Sequence, residues 1–240
     1  KLIWWDEDQQ QWTGYDTPDF PVGKAPNTPV KKGGEGMDGL SGADPFIMMG
    51  DGRGWLFAPA GLRDGPLPAH YEPVESPVTN TVYGQQRNPT FKWWPRAGNQ
   101  LAAQQDPEYP YIATTYRLTE LHTAGGMSRF TPWLSELQPE FFVEISPRLA
   151  GQVGVDNGDR VVISTPRAQV EARALVTERM QPLKLGEQVV ETVGLPYHWG
   201  YSGVVKGDAA NDLASMVGDT NVSIEEAKAF TCNLRKARTK

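Results

Sequence analysis

The sequence predicts a mainly β protein whose C-terminal part closes into a β barrel. Three observations carry that expectation. From residue 109 onward, short runs rich in β-branched residues follow one another closely. Turn-forming residues stand between them, and helical patterning is confined to a few short segments. Many strands at short spacing with few helices suit a closed barrel, because closure removes the unpaired edges that an open sheet exposes.

Residues 1–108 read as an irregular, Trp-rich extension. "YDTPDFPVGKAPNTPVKKGGEG" and "LRDGPLPAHYEPVESPVTN" are rich in Pro, Gly and Asp, which punctuate turns and do not continue a helix. Aromatic residues interrupt them: Trp4, Trp5, Trp12, Phe46, Trp55, Phe57, Trp93 and Trp94. A disordered linker is poor in such residues, so this part is expected to be ordered and to lay its rings on another surface. The one local element expected in it is a hairpin in "PFIMMGDGRGWLFA", around Gly50-Asp51-Gly52.

The barrel is expected over residues 109–240. Its strands are "YIATTY", "FFVEIS", "RVVIST", "VEARALV" and "QVVETVGL", with turns at Asn157-Gly158, Thr165-Pro166 and Gly186. Three helices are expected among them. "MSRFTPWLSELQP" is the first. In "SPRLAGQVGV", Ser146 is an N-cap, Pro147 suits the first helical position, and Gly151 or Gly154 is the stop. In "SIEEAKAF", Ser223 and Glu226 match a capping box. Asp156-Asn157-Gly158-Asp159 lacks the spacing of an EF-hand and reads as a hairpin turn. Arg167 lies on a turn with only its charge to commend it, His70 sits in a Pro-rich loop, and "NLRKARTK" is a solvated basic tail.

Composition excludes several classes. Lys and Arg total 23 against 29 Asp and Glu, a formal charge of −6, which argues against a nucleic-acid surface. No apolar run approaches the ~20 residues that span a bilayer. The single cysteine, Cys232, excludes an internal disulfide or a Cys-based metal cluster, and reads as a small buried hydrophobe on a terminal strand. The start, "KLIWWDEDQQQW", has neither an initiator Met nor a signal pattern, so the chain is expected to be a cut product or one piece of a split polypeptide.

The stretch "TTYRLTELHTAGGMSRF" (114–130) puts Arg117, Glu120, His122, a Gly pair and Arg129 directly after a strand. It reads as an ordinary strand followed by a solvated loop, or as a loop that holds an anionic ligand. Arg117 offers a fork of donors that Lys does not reproduce. Glu120 accepts, His122 and Thr123 donate, Gly125 and Gly126 admit close backbone approach, and Ser128 opens a helix.

Several blocks together resemble a known family. "YRLTE…H" (116–122), "QPEFFVEISPRLAGQVGVDNGDRVVIST" (138–165), "GLPYHWGY" (194–201) and "ANDL…VGDTNVSIEEAKAFTCNLRK" (210–236) are similar to the C-terminal domain of molybdopterin-dinucleotide oxidoreductases. With "GLSGADPFIMMGDGRGWLFAPAGLRDGPLPAHYEPVESP" (39–77), the likeness narrows to the large subunit of respiratory, periplasmic-type formate dehydrogenases. The resemblance implies a six-stranded double-psi barrel with peripheral helices. It also implies a Mo- or W-bis(molybdopterin guanine dinucleotide) cofactor, shared with a partner chain, and places Fe–S clusters on other chains. The loop at 116–123, with Tyr116, Arg117, Leu118, Glu120, His122 and Thr123, is implied to meet the pterin, together with Ser128, Tyr197, His198, Trp199, Asn211, Asp212 and Lys228. The Cys or selenocysteine metal ligand and its His-Gly neighbours have no counterpart here. Catalytic and metal-ligating residues are therefore expected elsewhere, in the remainder of the large subunit, with an Fe–S electron-transfer subunit as a further partner. The implied reaction interconverts formate and carbon dioxide in the periplasm, without membrane insertion and inactive in the isolated chain. The rival readings are the equivalent domain of a nitrate, thiosulfate or sulfoxide enzyme, and a stand-alone binding module.

Overall fold

The structure is a computed structural model and describes residues 2–48, 51–53, 62–65, 69–200, 204–226 and 228–238. The chain divides into two compact units, 1–68 and 69–240. Residues 69–108 thus share a unit with the barrel, and the division falls well before residue 109.

The first unit opens with an antiparallel hairpin of Ile3–Asp6 (β1) and Gln11–Gly14 (β2), in which Trp5 faces Trp12. Their rings meet edge-on at 5.8 Å, and Trp12 Nε1 donates to the Lys24 carbonyl at 2.8 Å. Irregular chain was expected here. The hairpin lacks an Asn-Gly or Asp-Gly turn; its connection is built instead by the Asp6 carboxylate, which accepts from the amides of Asp8 and Gln9. Gln10 takes a left-handed φ of 52°. The hairpin expected around Gly50-Asp51-Gly52 lies largely outside the described residues.

In the second unit, Lys92–Trp93 (β3) is followed by Tyr111–Tyr116 (β4), Phe142–Ile145 (β5), Arg160–Ser164 (β6), Gln169–Val176 (β7), Leu183–Leu185 (β8), Gln188–Val190 (β9), Thr192–Pro196 (β10), Val217–Gly218 (β11) and Phe230–Lys236 (β12). Six of these close into a barrel in the order β10-β4-β12-β6-β7-β5. The β4–β10 and β5–β7 pairs are parallel and the other four antiparallel. Along β7, Val170, Ala172 and Ala174 are buried while Gln169 and Glu171 face out. Ala113, Val143, Ile145, Val161, Ile163, Val193, Leu195, Cys232 and Leu234 fill the interior. Cys232 is wholly buried, which together with the Glu75 charge pushes its thiol pKa up. It packs as an inert core residue.

The helices separate by how much their caps decide. Pro132–Leu137 (α1) lies within the first expected helical stretch. Pro147–Val153 (α2) begins at Ser146, whose hydroxyl accepts from the Leu149 amide at 2.9 Å, and stops at Gly154 with φ 66°. The turn at 156–159 joins α2 to β6, so it is not the hairpin turn expected. The expected strand "QVVETVGL" divides at Glu191 into β9, paired with β8, and β10, in the barrel. There the buried Glu191 carboxylate accepts from Ser146 Oγ at 2.7 Å and meets Arg148 at 3.2 Å.

The helix expected over 223–230 does not form among the described residues. Ser223 has φ 61°, Glu225 bridges Gly218, and the Glu226 amide donates to the Val217 carbonyl. Strand pairing with β11 overrides the local capping pattern.

Candidate functional site

Parallel pairing brings the chemistry together. β4 and β10 run side by side with Tyr116 opposite Pro196, so the residues that follow each strand emerge at the same end of the barrel. There Arg117 Nε donates to the Tyr197 hydroxyl, and its guanidinium lies 5.9 Å from the Tyr197 ring centre. Lys228 approaches the same ring at 5.4 Å while donating to the Thr115 carbonyl at 2.6 Å. Three residues separated widely in sequence thus set two cations about one aromatic ring. Arg117 meets the Tyr197 hydroxyl through Nε, so this bond does not engage the two terminal nitrogens of its fork.

His198 holds this arrangement from below. It is fully buried, stacks on Tyr197 at 5.2 Å, and its Nε2 accepts from the Leu118 amide at 2.7 Å. Only an unprotonated Nε2 accepts, so the ring is neutral with its proton on Nδ1. Burial, followed by the nearby charges of Arg129 and Arg117, holds its pKa below the ordinary imidazole value, with the Ala124 backbone pulling the other way. The sequence suggests a His at the ligand; the structure makes it the support of the loop that carries Arg117.

The same holds for two neighbours. Ser128 is buried and its hydroxyl accepts from the His122 amide at 2.7 Å, which pins the loop closed on itself. Gly125 has φ 82°, and a Cβ there would stand 3.0 Å from the His198 Cβ. Its missing side chain admits His198, where close approach by a ligand was expected. Trp199 is in the core against Phe141 and Phe142. His122 and Thr123 are exposed on the loop, Thr123 with a left-handed φ of 47°.

Tyr116, Arg117, Leu118 and Glu120 line a cleft of about 810 Å³. Its far wall carries residues that the sequence reading passed over. Arg173 Nε meets Glu140 at 2.9 Å, and Arg179 pairs with the buried Glu144. Burial and then the Glu144 carboxylate push the Tyr116 phenol pKa up. A lone Glu inside the apolar run "FVEI" was a usable signal, since a buried carboxylate needs a partner. Asn211 and Asp212 are not part of this group. They are exposed on a 3-10 turn and line a second cleft of about 360 Å³, beside Arg96 and Asn99.

Among the described residues no three His, Cys, Asp or Glu side chains group at metal-binding distance. No described helix is long and apolar enough to cross a membrane.

Residues 111–231 match the family described as "Molydopterin dinucleotide binding domain". The nitrate-inducible formate dehydrogenase major subunit of Escherichia coli K12 is 42% identical over 240 residues, covering 98% of this chain and 22% of that one. The formate dehydrogenase subunit alpha of Megalodesulfovibrio gigas is 39% identical with the same coverage of each. A periplasmic nitrate reductase of Desulfovibrio desulfuricans is 32% identical over 110 residues, 46% of this chain and 14% of that one. The chain therefore spans about a fifth of the length of the formate dehydrogenase relatives.

Proposed function

The chain belongs to the molybdopterin dinucleotide-binding domain family, and on that premise we propose that it closes over a Mo- or W-bis(molybdopterin guanine dinucleotide) cofactor in a formate dehydrogenase. The remainder of the large subunit supplies the metal ligand and catalytic groups, and an Fe–S subunit takes the electrons. When bound, the cofactor supplies the redox chemistry of formate and carbon dioxide; this chain binds and orients it.

The donor set suits such a group. Arg117 and Lys228 present two cations to pyrophosphate or pterin oxygens, and Glu120 in the adjoining cleft accepts from a pterin or guanine N–H. Tyr116, Leu118 and Tyr197 shape the wall, and exposed His122 and Thr123 reach outward. His198, Ser128 and Trp199 act from behind, as supports. Asn211, Asp212 and their separate cleft are assigned to a more distant part of the same extended ligand. The N-terminal unit is assigned to contact with the rest of the enzyme.

One observation carries the choice of substrate: similarity to formate dehydrogenase subunits runs through 98% of the chain, whereas similarity to the nitrate reductase covers 46%. Periplasmic location and inactivity of the isolated chain follow from the same reading. The test is to purify the native assembly through this chain and assay guanine nucleotide, Mo, W and formate oxidation. Guanine nucleotide, formate oxidation and one of the two metals should be present. An assembly with neither metal nor nucleotide, or one that reduces nitrate and leaves formate untouched, overturns it.

A further inference from the structure

Four large apolar side chains stand exposed within eleven residues: Met127 at 72%, Phe130 at 60%, Trp133 at 76% and Leu137 at 63%. They recur at intervals of three, three and four through the 3-10 turn Ser128–Phe130 and α1, and Trp133 and Leu137 share one helix face. The opposite side holds the segment down. Leu134 packs on the barrel core, and the buried Ser135 donates to the Arg129 carbonyl at 3.2 Å. The exposed side chains are thus presented by an anchored element. Apolar exposure of this density on a folded surface marks an interface.

We propose that this stripe is the docking face for the part of the large-subunit polypeptide that lies outside residues 1–240, which in the relatives is nearly four-fifths of the chain. The inference rests on the formate dehydrogenase reading and names one surface on which that assembly closes. Two observations choose this occupant. The stripe follows directly on the exposed loop residues His122 and Thr123, so a polypeptide that encloses a cofactor at that loop reaches the stripe as well. Its charge also disfavours the alternatives. The one basic side chain in 127–137, Arg129, is buried, and Glu136 is exposed, which suits neither an anionic lipid surface nor a second copy of a chain with a net charge of −6.

The test places a benzophenone amino acid at position 133, and separately at 137, in the chain as its native host assembles it. After illumination, the adduct peptides are identified and the bound guanine nucleotide is assayed in the same material. The expected result is nucleotide-containing assembly with adducts on large-subunit peptides outside residues 1–240. Adducts confined to residues 1–240, adducts on lipid, or no adduct in nucleotide-containing material overturns the docking face and leaves the formate dehydrogenase reading standing. Absence of nucleotide overturns that reading, and the docking face with it. The paired variant Trp133→Asp/Leu137→Asp should weaken co-purification on the order of 30-fold while the isolated chain melts at an unchanged temperature.

Discussion

Arg167 and Glu75 form a forked ion pair inside the second unit, with Nη1 to Oε1 at 2.6 Å and Nη2 to Oε2 at 3.0 Å, both side chains 1% exposed. Each has further partners. Glu75 accepts from the amides of Ala102 and Thr231, and Arg167 donates to the carbonyls of Leu213 and Gln100. The pair therefore ties residues 75 and 100–102 to the barrel. Arg167→Met should destabilise by about 3–5 kcal/mol, because it strands a buried carboxylate. Replacing both, as Arg167→Met with Glu75→Leu, should cost less than the sum of the single changes. Urea unfolding of the four proteins in a double-mutant cycle checks this, and additive losses would refute the coupling.

Gly125 tests the packing behind the site. An Ala there must hold φ near 82° and place a Cβ 3.0 Å from the His198 Cβ and 3.1 Å from its Nδ1. Gly125→Ala should therefore lose about 1–3 kcal/mol. Gly158 has a similar φ of 89° but nothing within 4 Å of an added Cβ, so Gly158→Ala isolates the backbone part of the cost. Equal losses in the two variants would show that contact with His198 contributes nothing.

His198 makes stability depend on pH. Its folded pKa lies below the unfolded value near 6.5, so the unfolded chain binds more protons in the window between them. The stabilisation is fully present above pH 6.5 and is lost as pH falls through the folded value. Unfolding free energy should drop between pH 7 and 5.5, and His198→Gln should flatten that slope. The same slope in the variant would place the titration elsewhere.

How much of this was legible depends on the distance over which each signal acts. Strands β4 to β7 showed themselves through short β-branched runs set between turn signals, and α2 through Ser146, Pro147 and Gly154, all local features. The segment 223–230 carries an equally local helix signal, but its partner Gly218 lies in another strand and pairing prevailed. Arg167 had only its charge to offer because Glu75 stands 92 positions earlier. Residues 116–123 left a solvated loop and a ligand loop both open on their own, and the family resemblance favoured the ligand. That Arg117 meets Tyr197, 80 positions on, follows from the β4–β10 register, and no local pattern encodes it.

Arg117 and Tyr197 give the most direct test of the cofactor reading. Arg117 is exposed beyond the end of β4 and contributes nothing to the barrel interior, so Arg117→Ala should leave the melting temperature of the isolated chain within about 1 °C, as surface changes ordinarily do. In the assembled enzyme it should lower bound guanine nucleotide and metal, since each charge-assisted hydrogen bond lost is worth roughly 1.5–3 kcal/mol. Arg117→Lys keeps the charge without the fork and should recover only part of the occupancy. Tyr197→Phe retains the ring beneath both cations but removes the hydroxyl that accepts from Nε. It frees the guanidinium to rotate without removing it, so its loss should be smaller than that of Arg117→Ala. Lys228→Met removes the second cation while Arg117 remains, and combined with Arg117→Ala it should abolish occupancy. The measurement is nucleotide and metal per assembled chain across the five variants and the wild type. Wild-type occupancy in Arg117→Ala would reduce the residue to a surface arginine, and a Tyr197→Phe loss equal to it would mean that the ring hydroxyl, and not the fork, is what the ligand needs.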